Sequence, residues 1–202
     1  MRKITTLFWD IGGVVLTNGW DYPLRKRAAQ KFGFDSDEFE AKHTESEEAF
    51  ETWKINLDEY LKRTLFFQAR PFNKEEFKTF MFSLCEPHPY TIEIVQQLAY
   101  SRRYLMVAIN NESLELNLYR IEKFHLRDYF TSFLSSCFLN VRKPSREIYD
   151  KALQITQRNP AECILIDDRK QNLEPAQALD IATIHYENSD QLHRELQLKL
   201  EV

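Results

Sequence analysis

Cysteine, glycine, long apolar runs and positive charge are all in short supply in this sequence, and each shortage excludes something. The three cysteines, Cys85, Cys137 and Cys163, are odd in number, far apart and without a C-x-x-C pair. They suggest neither a disulfide framework nor a zinc site, and the simple expectation is reduced thiols in a cytoplasmic protein. A formal net charge of −4 and a pI near 5.8 argue against a surface that gathers nucleic acid or anionic lipid by charge alone. No stretch approaches the length of a membrane span. The basic start Met1-Arg2-Lys3 leads only into a short apolar run broken by Asp10, with no signal-type cleavage region. No internal repeat or low-complexity linker is present. What remains is an ordinary globular balance, 43% hydrophobic and 29% charged in 202 residues, enough for one core plus a small inserted module.

The hydrophobic rhythm changes twice along the chain. Ile4 to Trp9 reads as a buried strand that stops at Asp10 and runs into Gly12 and Gly13. From Asp21 to about Ser83 the spacing turns helical and charge-rich, the mark of a separate helical insertion of about four helices. Only Leu65 to Phe67 hints at a strand there. Gly33 is placed to end the first of these helices, and Asp35 and Asn73 to cap later ones. After Pro87 and Pro89, helix and strand alternate. Strands are expected at Tyr104–Ile109, Thr131–Ser135, Cys163–Ile166 and Ile181–His185. Helices are expected at Tyr90–Ala99, Ser113–Lys123, Ser145–Thr156, Gln171–Leu179 and Ser189–Leu198. Such alternation predicts an α/β protein with a Rossmann-like parallel sheet covered by helices on both faces. Residues 1–17 and 87–202 would form that core, and 18–86 the insertion.

In an open parallel sheet, ligands bind beyond the carboxyl ends of the strands. Asp10, Asn110 with Asn111, and Asp167 with Asp168 each end a strand and so share one edge. Three of the chain's four glycines fall at positions 12, 13 and 19. Backbone at Gly12 and Gly13 can approach a ligand closely and aim amides at an anion beside Asp10, although Asp10 opening a simple turn is the plainer reading. Adjacent carboxylates at Asp167 and Asp168 repel unless a cation lies nearby, and Mg2+ commonly takes one or two carboxylates. Favourable placement at a helix amino terminus is the alternative. Arg142-Lys143-Pro144 precedes a helix and sets Lys143 near the same edge, unless the pair is merely solvated. Asn172 is placed to cap or brace the acidic loop.

The order of these segments, Asp-x-Gly-Gly-Val, Asn-Asn, Arg-Lys-Pro, then Asp-Asp-x-x-x-Asn, resembles the haloacid dehalogenase-like (HAD) superfamily. The segments Asp10–Asn18 and Arg142–Tyr149 look similar to its branch of sugar-phosphate phosphatases with a helical cap after the first strand. The resemblance implies Asp10 as nucleophile, Asn110 as a phosphate ligand beside Asn111, and Gly12 and Gly13 in the substrate cradle. It further implies Lys143 as the stabilising cation, with Mg2+ held by Asp10, the Gly12 carbonyl, Asp167 and Asp168. The partner it implies is a small phosphorylated metabolite, with the insertion as the cap. Nothing in the sequence speaks to oligomeric state.

Two departures stand out. Gly12 occupies the position where typical phosphatases of this superfamily carry a second aspartate as general acid and base. Such assistance is typically worth about 10²–10⁴-fold, so its loss points to a slow enzyme, an easy leaving group or another donor. Asn110 replaces the more usual serine or threonine. Glu112 stands beside it, either as a replacement acid or, the favoured reading, as a helix-start residue. Trp20, His43, Trp53, Lys54 and Tyr60 are the insertion residues considered for contact with the leaving group, though core packing is the expectation for its aromatics. Two other activities stay open: carbon–halogen hydrolysis, which needs no magnesium, and a metal- or phosphate-binding protein that turns over weakly or not at all.

Overall fold

The computed structural model describes residues 3–200, so the basic start at Met1 and Arg2 and the last two positions lie outside the described residues. Five parallel strands run in the order β3-β2-β1-β4-β5: β1 (Thr6–Trp9), β2 (Leu105–Ala108), β3 (Ser132–Phe133), β4 (Cys163–Asp167) and β5 (Ala182–His185). The first strand is therefore central, with Trp9 in register with Ala108 on one side and Ile166 on the other. Alternation along the strands divides the core in two. Leu7, Trp9, Met106, Ala108, Ile164 and Ile166 pack on one face with Val95 of α5 (Pro89–Ser101) and with Leu192 and Leu196 of α10 (Ser189–Leu200). Phe8, Val107 and Leu165 pack on the other with Ile148 and Tyr149 of α8 (Arg146–Thr156) and Leu173 of α9 (Lys170–Gln177). Near-continuous apolar strands are what burial of both sheet faces requires.

Between β1 and α5 lie four helices: α1 (Tyr22–Phe32), α2 (Ser36–Glu51), α3 (Leu57–Thr64) and α4 (Lys74–Ser83). Each starts at a side chain that accepts a backbone N–H of the first turn, from Asp21, Asp35, Asn56 and Asn73, the last in a reciprocal capping box with Glu76. Gly33 ends α1 at φ +69°, as expected from its position. The four helices enclose an apolar cluster of their own, rich in aromatics such as Phe39, Phe50, Tyr60 and Phe77, which also takes in Leu116 of α6 (Leu114–Lys123). The Phe50 and Tyr60 rings stack with centroids 4.0 Å apart.

The strand hinted at Leu65 to Phe67 is absent: these residues form a turn in which Leu65 and Phe66 both donate to the Leu61 carbonyl. Leu65 is buried in the helical cluster, where no strand is available to pair with it, so the apolar run serves helix packing. The expected Thr131–Ser135 strand shortens to two residues, and a short helix, α7 (Ser136–Leu139), follows it. The Ser136 amide donates to the Asn110 carbonyl, which extends the β2–β3 edge without a longer strand.

Candidate active site

Because all strands are parallel, the polar residues at their ends converge. Asp10 directly follows β1, and its amide donates to the Ile166 carbonyl of β4, which sets it beside Asp167. Lys143 Nζ lies 2.9 Å from Asp10 Oδ2 and 2.6 Å from Asp167 Oδ2. One carboxylate oxygen from each of Asp10, Asp167 and Asp168 lies within 4.8 Å of the others.

The two adjacent aspartates are used differently. Asp167 is fully buried and saturated, accepting from Lys143 Nζ, from the Arg169 amide at 2.8 Å and from Asn172 Nδ2 at 3.0 and 3.1 Å. Asn172 thus braces the loop, and its own carbonyl accepts from Tyr149 Oη at 2.6 Å. Asp168 Oδ1, by contrast, is buried without any hydrogen-bond partner. A buried, unsatisfied carboxylate oxygen is costly, and beside two more carboxylates it fits a hard divalent cation such as Mg2+. The electrostatics agree. Burial pushes the Asp10 carboxyl up to about 7, with Lys143 opposing and Asp167 and Asp168 adding repulsion. Asp168 is raised by burial and by Asp167. Burial disfavours the Lys143 ammonium, yet Asp10 and Asp167 outweigh it and hold the pKa above that of an ordinary lysine. One lysine therefore does not neutralise the cluster, and a further positive charge would restore the Asp10 carboxylate.

The loop after Asp10 is shaped around this cluster. Gly13 has φ +78°, and a Cβ there would overlap Asp168 Oδ2 and lie 2.7 Å from its Cγ. The Ile11 amide donates to Asp10 Oδ1 at 2.7 Å and fixes the carboxylate.

A cavity of about 280 Å³ lies between the sheet edge and the helical insertion. Asp10, Gly12, Asn111, Lys143 and Asn172 line it from the core, with Trp20, Arg25, His43, Glu47 and Glu51 across from them. Most of these charges are paired. Arg25 makes a two-pronged ion pair with Glu40 at 2.7 and 2.8 Å and also donates to the Trp20 carbonyl. Arg142 holds Glu47 at 3.2 Å and Glu51 at 2.8 Å. The neighbouring His43 imidazole and Arg142 guanidinium bring Glu47 down to about 2 despite its burial. Burial and the neighbouring Glu47 charge push Glu51 up to about 7.

The expected site residues meet different fates. Asp10, Gly12, Asn111 and Lys143 reach the cavity wall; Asp167 and Asp168 do not line it but lie beside Asp10, with Gly13 packed against Asp168. Asn110 is buried away from the cavity. Its side chain donates to Asn117 Oδ1 and accepts from Ser135 Oγ, so its amide is already engaged. Asn111 exchanges two hydrogen bonds with the Lys143 backbone, at 2.9 and 2.8 Å, and so positions the lysine. Of the insertion candidates, Trp20 and His43 line the cavity. Tyr60 lies behind them, accepting from Trp20 Nε1 at 2.9 Å and bonded to His43 Nδ1 at 2.8 Å. Trp53 and Lys54 do not line it. Glu112 directly precedes the N-cap Ser113 of α6 and accepts from its amide at 3.1 Å, and it also forms a buried ion pair with Arg120 at 2.8 Å. Arg120, Arg25, Glu47 and Glu51 were not singled out from the sequence, since their arginine–carboxylate partners lie on other elements or outside helical spacing; of their pairs only His43–Glu47 has the i,i+4 spacing of one helix.

A carboxylate triad with one buried lysine, at the carboxyl edge of a parallel Rossmann-like sheet and under a helical insertion, defines a hydrolase core. The chain belongs to the haloacid dehalogenase-like hydrolase family, whose model matches residues 4–180. It is 28% identical over 196 residues to flavin mononucleotide hydrolase 1 of Arabidopsis thaliana, covering 96% of this chain and 77% of that protein. Among solved structures, a HAD family enzyme of Bacteroides thetaiotaomicron in complex with magnesium and inorganic phosphate superimposes with a TM-score of 0.79 at 20% identity, over 92% of this chain and 95% of that one. An L-2-haloacid dehalogenase superimposes with a TM-score of 0.65 at 16% identity, over 96% and 99%. The likeness of fold thus spans more than one chemistry.

Proposed function

We propose that the protein is a Mg2+-dependent phosphatase of a small phosphate monoester, working through an aspartyl-phosphate at Asp10. The observation that carries this reading is the Asp10–Asp167–Asp168 cluster with its unsatisfied Asp168 oxygen, a demand for a cation that carbon–halogen hydrolysis does not make. Asp10, Asp168 and the Gly12 carbonyl would hold the ion. Asp167, saturated by Lys143 and Asn172, orients the lysine. Bound Mg2+ would supply charge neutralisation for the phosphoryl group. Asp10 attacks phosphorus, Lys143 favours the ionised carboxylate together with the positive charge the ion would add, and water later hydrolyses the intermediate. The Asn111 side chain acts through Lys143, and phosphate oxygens are left to the backbone amides of the loop after Asp10 and to Lys143. Residues 18–86 serve as a cap over the core of 1–17 and 87–202, excluding water and selecting the leaving group. Three buried free thiols suit a reducing cytoplasm.

The name of the Arabidopsis relative adds flavin mononucleotide to the substrates worth assaying. The decisive experiment is nitrophenol release from para-nitrophenyl phosphate, with Mg2+ and with chelator, by the native chain and by Asp10→Asn. Turnover that needs both Mg2+ and Asp10 is expected. Equal rates in chelator, or in Asp10→Asn, overturn the reading. A second reading, a phosphate-binding protein with little turnover, is favoured by the glycine at position 12, and it predicts a phospho-Asp10 that accumulates without multiple turnovers.

A further inference from the structure

A side chain at position 12 would point toward Asn18 and Arg120. A Cβ on Gly12 would lie 3.6 Å from Arg120 Nη1 and 3.3 Å from Asn18 Oδ1. A Cβ on Gly19 would overlap Glu112 Oε2 and lie 2.8 Å from the same Arg120 nitrogen. Glycine at position 19 makes room for the Glu112–Arg120 pair, and the guanidinium of Arg120 also lies in ordinary contact range of a Cβ at position 12. It reaches in from α6 and is held by Glu112 Oε2 at 2.8 Å and by the Thr17 carbonyl at 2.6 Å.

The guanidinium is 2% exposed, lines the same cavity as Asp10, and is not saturated. Those two bonds use two of the five N–H donors an arginine carries; its Nε also lacks a partner but is sealed from solvent, so the donors left for a ligand are the second N–H of Nη1 and of Nη2. A buried cation with unused donors calls for an acceptor, and the acceptor that would enter this cavity is a substrate oxygen. Glu112 is poorly placed to supply a proton. One of its oxygens accepts from Arg120 and the other from the Ser113 amide at 3.1 Å.

Resting on the phosphatase reading above, we propose that Arg120 meets the ester oxygen that leaves phosphorus, in the place of a residue-12 acid, and that Glu112 is its positioning residue. As Asp10 attacks, the bond from phosphorus to the ester oxygen breaks and its electron pair stays on that oxygen. Arg120 donates hydrogen bonds to the developing charge without giving up a proton, because a guanidinium does not deprotonate in proteins. Solvent water supplies the proton that completes the alcohol. The water that then cleaves the aspartyl-phosphate returns one proton to solvent, so the cycle consumes one water in all.

The test is a leaving-group series: dinitrophenyl, nitrophenyl, phenyl and alkyl phosphates with Mg2+, for the native chain, Arg120→Met and Arg120→Lys. Better leaving groups need Arg120 less. Arg120→Met is expected to lose under about 10-fold on dinitrophenyl phosphate but about 10²–10³-fold on phenyl and alkyl phosphates. Arg120→Lys, which keeps a cation but loses the fork, is expected to steepen the series by a smaller factor, and it serves alone if the methionine variant does not fold. A loss of equal size across the series, in whichever variant folds, assigns Arg120 a structural role and overturns the proposal. Native protein with no Asp10-dependent turnover of dinitrophenyl phosphate instead overturns the phosphatase reading beneath it.

Discussion

Two glycines with nearly the same positive φ separate the energetic consequence of the site from that of the chain. Gly13 has φ +78° and Gly33 has φ +69°. An alanine in the left-handed region costs about 1–2 kcal/mol, partly offset by the smaller entropy of its unfolded chain, about 0.4–1 kcal/mol. At Gly33 nothing lies within 4 Å of the added Cβ, so Gly33→Ala should lose about 1 kcal/mol and leave the site intact. At Gly13 the Cβ would overlap Asp168 Oδ2, so the carboxylate must retreat by about 1 Å to reach ordinary contact. Overpacking of that kind adds about 1–3 kcal/mol. Mg2+ tolerates little departure from octahedral geometry, so Gly13→Ala should also lose Mg2+ affinity. Turnover should fall by an order of 10²-fold, the usual consequence of misplacing a reacting group by about 1 Å. Urea denaturation without metal measures the first effect, and calorimetric titration with Mg2+ measures the second. The reasoning fails if Gly13→Ala binds Mg2+ as the native chain does, or if the two alanine variants lose the same stability and both keep full activity.

Glu51 gives a pH signature. Its folded pKa of about 7 lies above its ordinary value of 4.5, so the folded state holds a proton that the unfolded state has released between those values. Stability from this group is full below about pH 4.5 and is lost as pH rises through 7. Glu51→Gln should therefore match the native chain at about pH 4 and exceed it by about 1–3 kcal/mol at pH 8, measured in urea with Mg2+ in excess to silence Asp10. Tyr60→Phe should cost about 1–3 kcal/mol, because it strips the buried Trp20 indole N–H and His43 Nδ1 of their shared partner; an unchanged urea midpoint would refute this.

The features legible in the sequence are those that local rules control. Asp10 could be placed at a strand end because an apolar run stops there, and Asp167–Asp168 for the same reason. Gly33, Asp35 and Asn73 signal their helix ends through positive φ and side-chain capping, both matters of a few neighbouring residues. Leu65 to Phe67 misled because a short apolar run has the same composition whether it pairs as a strand or packs as a turn. Asn110 followed the strand-end logic but turned inward. Its partners, Asn117 and Ser135, come from a helix and a loop that only the fold brings together. The cavity wall was hidden for a related reason: Arg25–Glu40, Arg142–Glu51 and Arg120–Glu112 are 15, 91 and 8 residues apart, and no periodicity relates them.

The charge on the cavity floor leads to one further prediction. Three carboxylates against one lysine leave two negative charges if all are ionised, and the metal-free protein relieves this by holding a proton on Asp10, whose pKa rises to about 7. A protonated Asp10 is a poor ligand, so below pH 7 the arriving cation must expel that proton. The sign follows directly. Mg2+ affinity should fall by about tenfold for each pH unit below 7 and level off above it, with about one proton released per ion near pH 6 and almost none at pH 8.5. Calorimetry in two buffers of different ionisation enthalpy reads the released proton. Asp10→Asn should abolish the pH dependence while weakening the binding. Mg2+ affinity that is flat from pH 5.5 to 8 would contradict the raised Asp10. An absence of Mg2+ binding at every pH would remove the cation from the site and put carbon–halogen hydrolysis, which needs none, ahead of the phosphatase reading.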